Sequence, residues 1–160
     1  MDTKLTPIDG FRRAVDGVRR AFPSLRIHVQ VDEGNPFVEA SASLPPQPGL
    51  EFGVGFSLQS RDELHLNVGT TNLRVEWFPC TEPAVVDTFV DAVSGILSGR
   101  YRIVERSIGD HVVSVQLQRP LAPDRWARVA TWSTLGSLIP WPRNQTIVRN
   151  SAGDGDVVKI

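Results

Sequence analysis

The stretch LRVEWFPCTEPAVVDTFVDAVSGILSGRYRIV, residues 73–104, decides the fold. Leu73, Val75 and Trp77 alternate with Arg74, Glu76 and Phe78, the period of a strand with one buried face. Pro79 breaks the pattern. From Pro83 the period changes: Val85, Val86, Phe89, Val90, Val93, Ile96 and Leu97 recur at helical spacing and make a wide apolar face, with Thr81 or Glu82 as the expected cap. Gly99 follows the last apolar position, where a residue in the left-handed conformation ends a helix, and Tyr101–Ser107 resumes as a strand. A strand, a buried helix and a second strand thus follow one another within 35 residues or so.

Upstream, residues 7–22 read as a helix with Thr6 as N-cap, proline in the first helical position and Asp9 in the first turn. Ile8, Phe11, Val15, Val18 and Phe22 form its apolar stripe, and Arg12, Arg13, Arg19 and Arg20 its solvated side. Four alternating segments come next, with inward sets Ile27/Val29/Val31, Val38/Ala40/Ala42/Leu44, Phe52/Val54/Phe56/Leu58 and Leu64/Leu66/Val68. The turns between them, rich in Gly, Pro, Asp and Asn, are too short for crossovers and predict an antiparallel meander. After the second helix, residues 101–107 and 111–119 form a hairpin about Gly109-Asp110, and residues 125–134 read as a further strand.

The expected fold is therefore α+β: a mainly antiparallel sheet of about six to eight strands with helices near residues 7–22 and 83–98 packed on one face. A single domain over residues 1–150 and a flexible tail over 151–160 complete it. The element order resembles that of secretion chaperones, small acidic cytoplasmic dimers that hold segments of partner proteins. The resemblance lies in element order and in no motif, and the arginine-rich chain, of net charge −1, departs from the acidic composition of that group.

At 160 residues the chain can bury one core without cross-links. A single cysteine excludes an internal disulfide and any multi-cysteine metal centre. The near-zero charge gives no overall attraction to nucleic acid or anionic membrane, so neither is an expected partner. With no signal-like or membrane-spanning run, the expected compartment is the cytoplasm. All but two of the 17 basic residues, Lys4 and Lys159, are arginine, a bias that fits a GC-rich bacterial coding sequence.

Two helices can cover one face of the sheet and leave the other open. On that open face the sequence places His28, Gln30, His65, Asn67, Arg74 and Glu76 as a ligand or partner surface, with Gly53 and Gly55 keeping its middle flat. His28, His65 and Glu76 are the residues there that can act as an acid–base pair or metal ligands, but none lies at a motif spacing, so no catalytic residue, metal site or cofactor is assigned. Cys80, before a helix, is the candidate reactive thiol. Trp126, Trp132 and Trp141, gathered near the C-terminus, are interface candidates. The favoured expectation is a non-enzymatic module, a homodimer or adaptor, that binds protein through its open face. The alternative is a small-molecule-binding domain or enzyme with a shallow site on the same face.

Overall fold

The computed structural model describes residues 4–138 and 140–151, so the tail expected over residues 151–160 lies outside the described residues except for Ser151. The chain is α+β, with helices α1 (Pro7–Ala21) and α2 (Pro83–Leu97) and nine strands. These are β1 (His28–Val31), β2 (Val38–Leu44), β3 (Val54–Gln59), β4 (Glu63–Val68), β5 (Arg74–Trp77), β6 (Arg102–Ile108), β7 (His111–Ala122), β8 (Arg125–Ser133) and β9 (Asn144–Val148). No described helix is long and apolar enough to cross a membrane.

The strands are antiparallel throughout but do not share one sheet. The first sheet is the expected meander, β1-β2-β3-β4-β5, and the second has the order β8-β7-β6-β9. The division falls at α2. A helix between β5 and β6 carries the chain away from the β5 edge, so β6 starts a new sheet instead of extending the old one.

Local signals explain most boundaries. Thr6 caps α1, accepting from the Asp9 amide at 3.2 Å, and Pro7 starts the helix. The N-cap of α2 is Glu82, whose side chain makes no capping bond, while the neighbouring Thr81 hydroxyl is buried without a partner among the described residues. Gly99 ends α2 at φ +69, and Gly109 turns the β6–β7 hairpin at φ +57. Strand β3 begins at Val54, so Gly53 lies just outside it. β9 pairs with β6 despite a sequence, Asn-Gln-Thr-Ile-Val, that shows little alternation.

One core joins both helices and both sheets. From the first sheet it takes Ala40, Ala42, Leu44, Val54, Phe56, Leu58, Leu64, Leu66 and Val68, and from the second Ile103, Val115 and Leu117. Phe11 meets Phe56 at 5.9 Å between ring centroids, Phe56 meets Phe89 at 5.4 Å, and Phe89 meets Trp77 edge-on at 5.2 Å. Such contacts add about 0.5–1.5 kcal/mol each beyond the area they bury. The alternation predicted for β1 meets a different environment: Val29 and Val31 are 39% and 43% exposed. β1 is an edge strand, and the helices do not extend over it.

The second sheet also has two unlike faces. Its inner side carries Ile103, Val115 and Leu117 into the core. Cross-strand partners Arg102↔Gln118↔Arg128 and Val104↔Gln116↔Thr131 lie on its outer side, with Arg106 opposite Ser114 and Gln145. Asn150, 2% exposed, ties the end of β9 back to the core. It donates to the carbonyls of Gly49 and Leu97 and accepts from the Glu51 amide, so a buried amide is satisfied on all sides.

The helices are held at close quarters to the β5–α2 junction. A Cβ added at Gly10 would overlap the Cys80 carbonyl oxygen, a backbone atom that cannot rotate away. Gly10→Ala is therefore expected to cost about 1–3 kcal/mol by overpacking and to lower the thermal midpoint by about 3–10 °C for a chain of this size. An unchanged melting curve would mean that α1 does not seat against Cys80.

Candidate functional site

The five strands of the first sheet place their polar side chains in cross-strand rows. One row runs His28–Ser43–Gly55–Asn67–Arg74, the next Gln30–Ser41–Ser57–His65–Glu76. Every residue expected on the open face lies there, but the rows also fix which of them meet. His28 is on β1 and His65 on β4, with two strands between them, a separation of about 14 Å at the usual strand spacing. His28 and Gln30 therefore stand apart from any site built on His65. The flat middle expected at the glycines is also filled: a Cβ on Gly55 would lie 2.6 Å from the Asn67 Oδ1, so the Asn67 amide already lies across that position.

What the register brings together is Glu63, His65 and Glu76. Glu63 and His65 are two apart on β4 and share a face, and Glu76 is the direct partner of His65 on β5. The His65 Nε2 lies 2.9 Å from Glu63 Oε2 and 3.9 Å from Glu76 Oε2. Glu63 belongs to the polar face of β4 from its alternation alone. The sequence signal that joins it to His65 is the i, i+2 spacing on one strand.

His65 and Glu76 border an open cleft of about 700 Å³ between the β4–β5 end of the first sheet and strand β8, lined also by Gln59, Arg74, Val75, Ala130, Thr131 and Trp132. One wall thus comes from the expected polar surface and the other from the C-terminal segment that holds the tryptophans. Trp132 lies at the cleft, 36% exposed. Trp141 is exposed, with Leu135 and Leu138 between them also exposed. Trp126 lies elsewhere, on the outer side of the second sheet, with the Arg102 guanidinium 4.0 Å from its ring centroid.

The electrostatics of the cluster are unbalanced. Two carboxylates approach one imidazole nitrogen, and a neutral Nε2–H can serve only one of them. The hydrogen bond from His65 holds the Glu63 carboxyl below the usual carboxylate range against an opposing contribution from partial burial. One donor atom from each residue lies within 4.8 Å of the others. Drawn in slightly, an imidazole nitrogen and two carboxylate oxygens suit a divalent transition metal at bond lengths of about 2.0–2.2 Å, with open positions left for ligand. The expectation of no metal site followed from the lack of motif spacing, and a donor set assembled across two strands has no such spacing.

Cys80 does not fit the part of a reactive thiol. It is fully buried, its thiol faces the Pro7 carbonyl at 3.6 Å, and burial, followed by the neighbouring Asp62 carboxylate, pushes its pKa up to about 12. The benefit expected from the start of α2 is outweighed by desolvation of the thiolate.

Because its pKa is depressed in the folded state, Glu63 adds stability above the unfolded carboxylate range, and that contribution is lost as pH falls through its folded value. Glu63→Gln is therefore expected to melt below the parent protein near neutral pH, with the gap closing in acid once the parent carboxylate is protonated. A gap independent of pH would show that the His65 contact does not hold the carboxylate.

Compared with known proteins, the chain matches no family model, no curated protein and no solved structure.

Proposed function

We propose that the protein is an interaction module that seats an extended segment of another protein in the cleft between β4–β5 and β8. The observation that carries this reading is the composition of that cleft: hydrogen-bonding and charged side chains from the open face on one wall, and Trp132 on the other. Strand β5 pairs with β4 on one side and with no described strand on the other, so backbone groups on its free side are available to an added strand. The exposed Leu135, Leu138 and Trp141 extend the apolar wall beyond Trp132. An aromatic anchor beside charged groups is the usual make-up of an interface hot spot. Glu76 favours a segment that carries a basic side chain. A second copy of the chain is the other protein that can present such an edge, which gives the homodimer.

Selection of a random peptide library displayed on phage against the purified protein tests the reading. Peptides with an apolar anchor and a basic residue are expected, and Trp132→Ala is expected to weaken them about thirtyfold, as loss of a hot-spot tryptophan does. Peptides that bind the Trp132→Ala protein equally well, or no enrichment from a protein that sediments as a monomer, would overturn it.

The convergence of Glu63, His65 and Glu76 favours a second reading, in which the same cleft takes a small ligand through a divalent cation. Calorimetric titration with Co2+ is expected to show one site that is lost in His65→Ala and weakened at least tenfold in Glu76→Gln. Equal Co2+ binding by parent and both variants would remove this reading.

A further inference from the structure

The outer face of the second sheet has a character that nothing in the open-face cleft explains. Arg102 and Arg106 from β6, Arg128 from β8 and Arg149 just beyond β9 all lie on it. No carboxylate occurs at the outward positions of these strands, and none of the four guanidinium groups is paired with an acid among the described residues. By contrast, Arg13 is paired with Asp87 at 2.9 Å and Arg100 with Asp91 at 2.5 Å.

The arginines are also organised. Arg102 and Arg149 both lie against Trp126, at 4.0 and 5.7 Å from its ring centroid. Arg102 Nε donates to Gln118 Oε1 at 2.9 Å, and Gln118 Nε2 donates in turn to Gln116. Arg149 is tethered to the Gly99 carbonyl. Two like charges gathered about one indole, each held by a hydrogen bond to a neutral group, form a preorganised anion site. Burial and the nearby Arg149 lower the proton affinity of Arg102, the signature of cations brought together without a counter-charge.

We infer that this face binds single-stranded nucleic acid, with phosphates on the four arginines and bases stacked on the guanidinium and indole planes. Charge complementarity requires an anionic partner, and the remaining chemistry selects the class. Between the arginines lie amides and hydroxyls. Val104 is buried and Ile147 only partly exposed, so the face offers little aliphatic surface between the arginines. Flat guanidinium and indole surfaces accept bases of any sequence, and the glutamine amides can reach base edges. The grooved contacts of a duplex are not matched by a sheet of four strands with arginines spread across it. With a net charge of −1, the chain offers this attraction locally, not over its whole surface.

The test is fluorescence anisotropy with a labelled mixed-sequence single-stranded RNA of about twelve nucleotides, with a duplex of equal length and a poly-glutamate peptide in parallel. The RNA is expected to bind with a log–log salt slope of about −3, four contacts at about −0.7 each. Arg102→Gln with Arg128→Gln is expected to weaken binding at least about tenfold at low salt and to flatten the slope by about 1.4. Arg102 is partly buried against Trp126 and Arg128 is exposed, and unchanged circular dichroism and melting of the double variant exclude a folding defect. Arg12→Gln with Arg19→Gln, on α1, is expected to bind like the parent. Absence of RNA binding at low salt, equal loss in the α1 control, or binding unaffected by the sheet variant would overturn the inference. Tighter binding of poly-glutamate than of RNA would overturn it in favour of an acidic protein partner.

Discussion

The ring of Phe89 sits between Phe56 and Trp77, and this contact sets the rest of the structure. It presses α2 onto β3 and β5, and Phe11 brings α1 onto the same ring of Phe56. Once α2 lies over the inner face of the first sheet, the chain leaves that sheet at β5 and cannot return to its edge. The strands that follow must form a sheet of their own. Its inner side completes the core with Ile103, Val115 and Leu117, and its last-paired strand β8 comes round to face β5. The cleft is thus a by-product of how the core closes: two sheet edges brought near each other by a helix that separates them in sequence.

Each sheet has one side committed to the core, which leaves two polar faces with opposite chemistry. On the first, the notable groups are two carboxylates converging on His65; on the second, four arginines without acidic partners. The difference is not visible in the total charge, which sums 17 basic and 18 acidic residues over the whole chain to −1. Electrostatic attraction over distances longer than the Debye length of about 8 Å would average them. At contact distance each face acts alone.

The elements themselves were legible in the sequence. Thr6-Pro7 and Gly99 mark helix ends by chemistry confined to a few neighbouring residues, and the alternation in β2, β3 and β4 reports burial on one side. β9 was not legible, because Asn144-Gln145-Thr146 face no core and carry no apolar period. Val29 and Val31 had the period of a buried face and yet are exposed, since alternation says which side a residue takes and not whether anything covers it. Of the candidate site, alternation puts His28, His65 and Glu76 on one face, but the contact of His65 with Glu76, and the distance of His28 from them, depends on strand order.

The sequence by itself determined the α+β class, both helices, the antiparallel meander and the residues on its open side, because turns, caps and alternation act over a few residues at a time. Tertiary structure alone decided that the strands divide into two sheets, that Glu63, His65 and Glu76 meet, that His65 and Glu76 share a cleft with Trp132, and that Arg102, Arg106, Arg128 and Arg149 share a face. The reason is that a strand's period fixes the direction of its side chains, whereas its neighbours are chosen by how the helices close the core over residues far apart in the chain.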